Sequence, residues 1–170
     1  MEQAAARSGW IIVLLLAVPL AAQAQAVDAD AVKARVALTI ARFAQLPESR
    51  GGGSLRLCVA VRRPAPPAIL ELSRQKVGAR IVELQLGPPF DGCDVLYIHS
   101  SYDTWRVLLD RMGGAALTVG DVPGFLAAGG MVELVIDSDA VRFDVNLEAL
   151  RRKRIRLPAQ VLSLARQVRE

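Results

Sequence analysis

LTVGDVPGFLAAGGM, residues 117–131, is the stretch that decides the fold of this chain. It begins as a short apolar run that ends at Gly120. A Pro-Gly pair and a Gly-Gly pair follow, and the chain then enters a second apolar segment at residues 132–136. Glycine and proline are the strongest local markers of turns and loops. They separate a predicted buried strand from a predicted antiparallel hairpin, so the sheet changes character at this stretch.

Outward from this stretch, predicted helices and strands alternate. Strands are expected at residues 55–61, 80–86, 93–98, 115–119, 131–136 and 141–145, the last two flanking a tight turn at 137–139. Helices are expected at residues 30–46, 64–78, 102–112, 146–150 and 158–168. This order predicts a three-layer α/β fold. Its central sheet is mostly parallel with helices on both faces, and it carries an added antiparallel hairpin and C-terminal helices.

The N-terminal segment has the pattern of a secretory signal peptide. Arg7 supplies positive charge, residues 10–20 are apolar, and small-x-small cleavage patterns follow at residues 22–26. A membrane anchor is the alternative, but Gln23 and Gln25 interrupt the apolar run, and a span needs about 20 apolar residues. The sequence therefore predicts a signal peptide over residues 1–26, cleaved after Ala26, and one exported domain over 27–170. The chain lacks obvious eukaryotic sorting signals, and this favours the bacterial periplasm.

Two cysteines, Cys58 and Cys93, remain in the exported part. In an oxidising compartment such a pair is expected to form a disulfide, which would close a loop of 35 residues. The alternative is a pair of buried thiols in a cytosolic protein. The chain has a single histidine, and its cysteine spacing matches no zinc pattern, so no metal site is predicted.

The positive charge is concentrated near the C-terminus. The formal net charge is +4, and Arg151, Arg152, Lys153, Arg154 and Arg156 lie within six positions. A nucleic-acid or membrane patch is one interpretation. Export argues against nucleic acid. A solvated helix end, where cations are favourable, and a charged rim for a protein partner both remain as interpretations.

Few residues suggest chemistry. His99 follows one predicted parallel strand and Asp121 another, the edge at which α/β folds bind ligands. Both also have ordinary explanations, since a histidine there can make plain hydrogen bonds and an aspartate often accepts bonds from turn N–H groups. Phe125, between two glycine pairs, is expected to anchor the loop in the core. The alternative is an exposed aromatic contact. No nucleophile and base can be paired, so no catalytic residue and no cofactor are predicted.

The central stretch resembles a motif of the YfiR family of periplasmic proteins. The residues that carry the resemblance are Asp121, Pro123, Gly124, Phe125, Gly129, Gly130 and Met131, followed by the hairpin that ends in Arg142-Phe143-Asp144-Val145-Asn146. Similar segments are Val32-Lys33-Ala34, the strand Leu55-Arg56-Leu57-Cys58-Val59, the strand that begins at Cys93, and the closing segment from Leu157 to Ala165. The resemblance covers essentially the whole exported chain.

The resemblance implies a regulator and not an enzyme. YfiR-like proteins repress a membrane diguanylate cyclase by binding its periplasmic sensory domain, which lowers cyclic di-GMP and restrains biofilm formation. They form homodimers, depend on disulfides, and can be sequestered by an outer-membrane lipoprotein. By this resemblance, Cys58 and Cys93 are the bridged pair.

The first helix departs from the family pattern, since it ends in Arg42-Phe43-Ala44-Gln45-Leu46-Pro47 and not in Trp-Pro. Arg35 and Phe43 on this helix, with Arg151, Arg152 and Arg154, are therefore the candidate partner contacts. A small-ligand-binding module that uses His99 and Asp121 is the alternative function.

Overall fold

A computed structural model describes residues 21–47 and 53–170, with side chains from residue 29 onward. The strands are β1 Ser54–Ala60, β2 Lys76–Val77, β3 Arg80–Leu86, β4 Val95–Ile98, β5 Leu117–Gly120, β6 Val132–Asp137, β7 Ala140–Asn146 and β8 Gln167–Arg169. The helices are α1 Ala21–Phe43, α2 Pro67–Leu70, α3 Trp105–Arg111, α4 Leu147–Arg152 and α5 Ala159–Leu162. Residues 1–20 of the predicted signal peptide lie outside the described residues. Residues 48–52, between α1 and β1, also lie outside them.

The eight strands of the described residues form one sheet in the order β2-β3-β1-β4-β5-β6-β7-β8. The pairs at its centre, β3-β1, β1-β4, β4-β5 and β5-β6, are parallel, and so is β7-β8. The β6-β7 hairpin is antiparallel, as is the short β2-β3 pair at the other end. The predicted fold class, a mostly parallel sheet with an added antiparallel hairpin, is confirmed.

Helices cover both faces of the sheet, which explains the nearly continuous apolar content of its central strands. One face packs against α1 and α2, and the other packs against α3. Successive residues of β4 alternate between the two layers: Val95 and Tyr97 face α1, whereas Leu96 and Ile98 face α3. The predicted three-layer arrangement follows from this alternation.

Helix α1 packs on the sheet through a row of small side chains. Ala34, Ala37 and Ala41 are buried together with Ile40, so the helix backbone can lie close to the strands. Phe43 shares the apolar spacing predicted for this helix, but its side chain remains 48% exposed. The helix therefore ends with an aromatic ring at the protein surface.

The structure corrects two predicted helices. The helix expected over residues 64–78 is only Pro67–Leu70, and the chain then forms β2. The helix expected over residues 158–168 stops at Leu162, and residues 167–169 pair with β7 as β8. The open edge of β7 offers backbone hydrogen bonds that a continued helix could not use. These hydrogen bonds outweigh the helix propensity of residues 163–168.

The predicted disulfide is present. Cys58 on β1 and Cys93 before β4 are bonded, with their Cα atoms 5.8 Å apart, and both side chains are buried on the α3 face. No helix in the described part of the chain is both long and apolar enough to cross a membrane.

Candidate functional site

The ends of two adjacent parallel strands bring the two predicted ligand-binding residues together. Ile98, the last residue of β4, pairs with Gly120, the last residue of β5, so His99 and Asp121 follow at neighbouring positions. Both residues are buried, and both face α1. The sequence-based placement of His99 and Asp121 at one edge of the sheet agrees with the structure.

Helix α1 adds a cation to this edge. The ammonium of Lys33 donates to Oδ2 of Asp121 at 3.0 Å and lies 3.9 Å from Oδ1 of Asp30, one turn earlier in α1. The side chain of Asp121 has no exposed area, and that of Lys33 is only 13% exposed. Sequence reasoning missed Lys33 as a site residue, although it stands in the Val32-Lys33-Ala34 segment that carries part of the family resemblance.

Tyr97, on β4, supports the same carboxylate. Its hydroxyl donates to Oδ2 of Asp121 at 3.3 Å. Burial raises the pKa of Tyr97 far above its usual value, and the nearby charges of Asp121 and Asp30 raise it further. The hydroxyl therefore keeps its proton and acts as a donor, so two donors from different elements hold one carboxylate oxygen.

His99 is fixed by its own turn. Nδ1 lies 2.8 Å from the hydroxyl oxygen of Ser101 and accepts the backbone N–H of Ser101 at 3.1 Å. Nε2 lies 3.5 Å from Oδ2 of Asp30. Within the described residues, neither Nε2 of His99 nor Oδ1 of Asp121 has a hydrogen-bond partner, although both atoms are buried.

These side chains form what we call the acidic cluster: Asp30, Lys33, Tyr97, His99 and Asp121. The cluster holds two carboxylates and one ammonium, and it is negatively charged when His99 is neutral. One carboxylate oxygen of each aspartate and a ring nitrogen of His99 lie within 4.8 Å of one another. Sequence reasoning considered only cysteines and histidines as metal ligands, and so it missed the carboxylates that the fold brings to His99.

A cleft of about 310 Å³ borders the acidic cluster. Lys33 and Asp121 form its polar end, and Glu133 also lines it. Pro123 and residues 134–136 of β6 make the remaining wall largely apolar. The cleft could hold a small molecule with one polar and one apolar end.

The loop after Asp121 is anchored by Phe125, as predicted. The Phe125 side chain is completely buried, and its ring centroid lies 5.8 Å from that of Trp105. A Cβ at Gly120 would lie 2.6 Å from the Phe125 ring, and one at Gly130 would lie closer still. These two glycines are required for space. Gly124 is different, because its φ of +80° is the left-handed conformation that favours glycine.

Glu133 on β6 holds the loop in place. Its carboxylate accepts the backbone N–H of Gly124 at 3.1 Å and that of Leu126 at 2.9 Å. The hydroxyl of Thr118 accepts the N–H of Met131 at 3.1 Å, where the loop rejoins the sheet. No motif search would single out Glu133, since only the return of the chain along β6 brings it under the loop.

The chain matches a described protein family over residues 30–166, a range that includes the acidic cluster, the Phe125 loop and both cysteines. The chain belongs to the YfiR/HmsC-like family. This membership confirms the resemblance that rests on the stretch at 117–131. The YfiR/HmsC-like family regulates cyclic di-GMP signalling and is periplasmic. It is not generally enzymatic, and its regulatory role implies a regulatory partner.

A known crystal structure has a similar fold. It is that of a conserved domain protein from Vibrio cholerae O1 biovar El Tor strain N16961, with a TM-score of 0.52 and 12% sequence identity to this YfiR/HmsC-like chain. The match covers 67% of this chain and 54% of the Vibrio protein, so this chain spans about half the length of that protein. At this identity the likeness shows the fold alone. No curated protein matches the chain significantly.

The candidate partner residues of this YfiR/HmsC-like chain lie on two segments that meet at the surface. Gln45, just after α1, exchanges two backbone hydrogen bonds with Arg156, of 2.9 and 3.1 Å. Arg151 and Arg154 line a cleft of about 420 Å³ together with residues 45–47. The structure thus brings the end of α1, which carries exposed Phe43, to the basic C-terminal segment.

The two other candidate partner contacts, Arg152 and Arg35, are also at the protein surface. Arg152 is exposed and forms an ion pair of 2.8 Å with Glu148 on the same helix. Arg35 is exposed on α1, two turns before Phe43. Neither lines the cleft of residues 45–47.

Proposed function

We propose that this protein is a periplasmic repressor of a membrane diguanylate cyclase. It binds the periplasmic sensory domain of that enzyme, lowers cyclic di-GMP synthesis and thereby restrains biofilm formation. The observation that carries the proposal is the family match over residues 30–166, because the family regulates cyclic di-GMP signalling. Repression requires that the protein bind the inactive state of the cyclase more tightly than the active state, since a partner shifts an equilibrium only through differential affinity.

The surface around the end of α1 supports binding of a protein partner. Phe43 is half exposed, and the guanidinium of Arg42 lies 5.7 Å from the centre of its ring. Aromatic side chains, phenylalanine included, and arginines are enriched at protein–protein interfaces relative to the rest of the surface. Arg151 and Arg154 border the neighbouring cleft. This combination suits a partner surface with an apolar centre and acidic groups around it.

The geometry of the acidic cluster supports binding over catalysis. Many hydrolases use a catalytic triad of serine, histidine and aspartate. Here the hydroxyl of Ser101 lies beside Nδ1 of His99, and the carboxylate of Asp30 lies beside Nε2 of the same imidazole. However, the Ser101 oxygen already accepts the backbone N–H of Arg62 at 3.1 Å, and Ser101 and His99 belong to one turn. The serine therefore serves to close a turn, and the protein is proposed to have no enzymatic activity.

Gene deletion with complementation tests the repressor function. Deletion should raise cellular cyclic di-GMP, and wild-type protein should restore the low level. Phe43→Glu should fail to restore it, whereas Val107→Glu should restore it, because Val107 is equally exposed but lies on α3 at the opposite face. Unchanged cyclic di-GMP after deletion, with the cyclase expressed, would contradict the proposal. Equal complementation by both variants would remove the α1 end from the contact surface.

Export and assembly belong to the same proposal. The exported chain begins after Ala26, forms a homodimer and can be sequestered by an outer-membrane lipoprotein. The mass of the protein purified from the periplasm tests the cleavage site, and light scattering during gel filtration tests the dimer. Capture of a diguanylate cyclase from solubilised membranes by the exported chain would identify the target.

A small-ligand-binding module is the second candidate, and the cleft of about 310 Å³ beside Lys33 and Asp121 favours it. The expected outcome of a thermal-shift screen with nucleotides and amino acids is a rise in melting temperature for one ligand class. His99→Ala and Asp121→Ala should abolish that rise. The absence of any ligand-dependent shift in the wild-type protein would count against this function while leaving the repressor proposal intact.

A further inference from the structure

Two buried atoms of the acidic cluster lack hydrogen-bond partners within the described residues, and they mark a candidate cation site. The side chains of Asp121 and His99 are 0% and 7% exposed, and Oδ1 of Asp121 and Nε2 of His99 make no hydrogen bond within the described residues. A buried polar atom without a partner destabilises the folded state, and native folds keep few of them. The cluster also holds two carboxylates against one ammonium. A cation at this position would give both buried atoms a partner and would also balance the excess negative charge.

The available atoms are those that bind transition metals. We propose that Asp30, His99 and Asp121 form a site for a divalent transition-metal ion such as Zn²⁺. An imidazole nitrogen with two carboxylates is a ligand set that suits such ions better than Mg²⁺ or Ca²⁺, which prefer oxygen ligands alone. This site is independent of the repressor function proposed above.

The spacing of these atoms is close to that of a bound site. Zinc bonds of about 2.1 Å place two tetrahedral ligands about 3.4 Å apart. Nε2 of His99 and Oδ2 of Asp30 are 3.5 Å apart, and the ligand atoms of all three residues lie within 4.8 Å. The Asp30 side chain is 27% exposed, so it has room to rotate and close the remaining gap. Because Asp30 is at the exposed side of the site, water or a ligand can reach the fourth coordination position of the ion.

Ser101 provides the outer support that a metal-binding histidine needs. Such a histidine usually donates its second ring N–H to a nearby acceptor. With metal at Nε2, the proton of His99 resides on Nδ1 and is donated to the Ser101 hydroxyl oxygen, 2.8 Å away. The backbone N–H of Ser101, now 3.1 Å from Nδ1, loses its acceptor in this state. Metal binding therefore requires the ring proton of His99 to move from Nε2 to Nδ1.

Lys33 limits the affinity of the site. Its ammonium lies 3.0 Å from Oδ2 of Asp121 and leaves Oδ1 of the same carboxylate for the ion. Two positive charges so close together repel each other strongly where little water screens them. A Lys33→Met variant that remains folded should therefore bind the ion more tightly than the wild type.

Metal titration of the untagged exported chain tests the site. Chelator-treated protein should take up Zn²⁺ at one equivalent per chain in calorimetry, and Co²⁺ should give visible absorption bands of a low-symmetry site. Asp30→Asn and His99→Gln should each weaken binding by about 100-fold or more, at least the loss seen when outer-shell partners are removed. Asp110→Asn is the matched control, because this carboxylate is exposed on α3, at the face of the sheet opposite α1, and it should change nothing.

Two results would overturn the proposal. One is wild-type protein that takes up neither ion, and the other is binding that survives in both Asp30→Asn and His99→Gln. Far-ultraviolet circular dichroism shows whether each variant is folded. Asp30→Asn is the decisive variant, because Asp30 lies at the partly exposed end of the cluster, and its nearest cation contact is a long 3.9 Å from Lys33. Loss of metal binding in that variant with retained repression would separate this site from the repressor function.

Discussion

Lys33 and Asp121 form a nearly buried ion pair that ties the first helix to the end of the central strand β5, across 88 positions of sequence. The pair links α1 to the stretch that carries the family motif. Its position also explains why an aspartate stands directly after β5, since the carboxylate is directed toward α1 and not into the following turn. Of the two explanations that the sequence leaves open for Asp121, acceptance of turn N–H groups is wrong, because Lys33 and Tyr97 are its donors.

Removal of the Lys33 charge should strongly destabilise the protein. Lys33→Met leaves the Asp121 carboxylate buried without its cation, and breaking a buried ion pair costs about 3–5 kcal/mol. Urea unfolding monitored by circular dichroism would measure this loss. Arg35→Met is the matched control, because it removes the same charge from an exposed position on the same helix and should change stability by less than about 0.5 kcal/mol.

A double variant separates the ion pair from the packing around it. Replacing both partners, as in Lys33→Met with Asp121→Leu, should restore much of the lost stability, because two apolar side chains leave no buried charge behind. If the losses of the two single variants simply add in the double variant, the two side chains are not coupled, and the ion pair does not explain the effect.

A methyl group at Gly130 should disrupt the anchor of the loop. In Gly130→Ala the new Cβ would overlap the ring of Phe125, which is fully buried and has no space to retreat. Overpacking of this kind costs about 1–3 kcal/mol. The melting temperature should fall, and Phe125→Leu in the same chain should recover part of the loss. Gly113→Ala is the control, since nothing lies within 4 Å of a Cβ there. An equal effect of both substitutions would contradict the role of the ring.

Alkaline pH should reveal the buried tyrosine. Because the pKa of Tyr97 is raised in the folded protein, its stabilising effect is complete below the unfolded pKa of about 10. Above that pH the unfolded chain releases the phenol proton and the folded chain keeps it, so stability falls by up to about 1.4 kcal/mol per pH unit. Urea unfolding at several pH values should show a steeper decline for the wild type than for Tyr97→Phe. Identical slopes would mean that Tyr97 ionises equally in both states.

The sequence predicts the centre of this molecule better than its ends. The apolar runs of β1, β4 and β5 mark them as buried strands, and the glycine spacing around Phe125 marks its anchoring role. Strand β8 has no such signal, since its three residues are all exposed and only the open edge of β7 makes them a strand. The acidic cluster is only partly predictable from the sequence. The ends of β4 and β5 predict the positions of His99 and Asp121. That Asp30 and Lys33 lie next to them depends on how α1 packs on the sheet.

Glu133 should control the local stability of the Phe125 loop. Its two carboxylate oxygens accept the N–H groups of Gly124 and Leu126. Glu133→Gln replaces one oxygen by an amide that cannot accept, so one backbone N–H loses its partner, at a cost of about 1–3 kcal/mol. The amides of Gly124 and Leu126 should then exchange with deuterium faster than in the wild type, whereas amides of the central strands should change only with global stability. Glu148→Gln, at a side chain 65% exposed, is the control and should leave the loop amides unaffected. Unchanged exchange at both loop amides in Glu133→Gln would show that the loop is held by Phe125 alone, and that the carboxylate under it contributes nothing to its order.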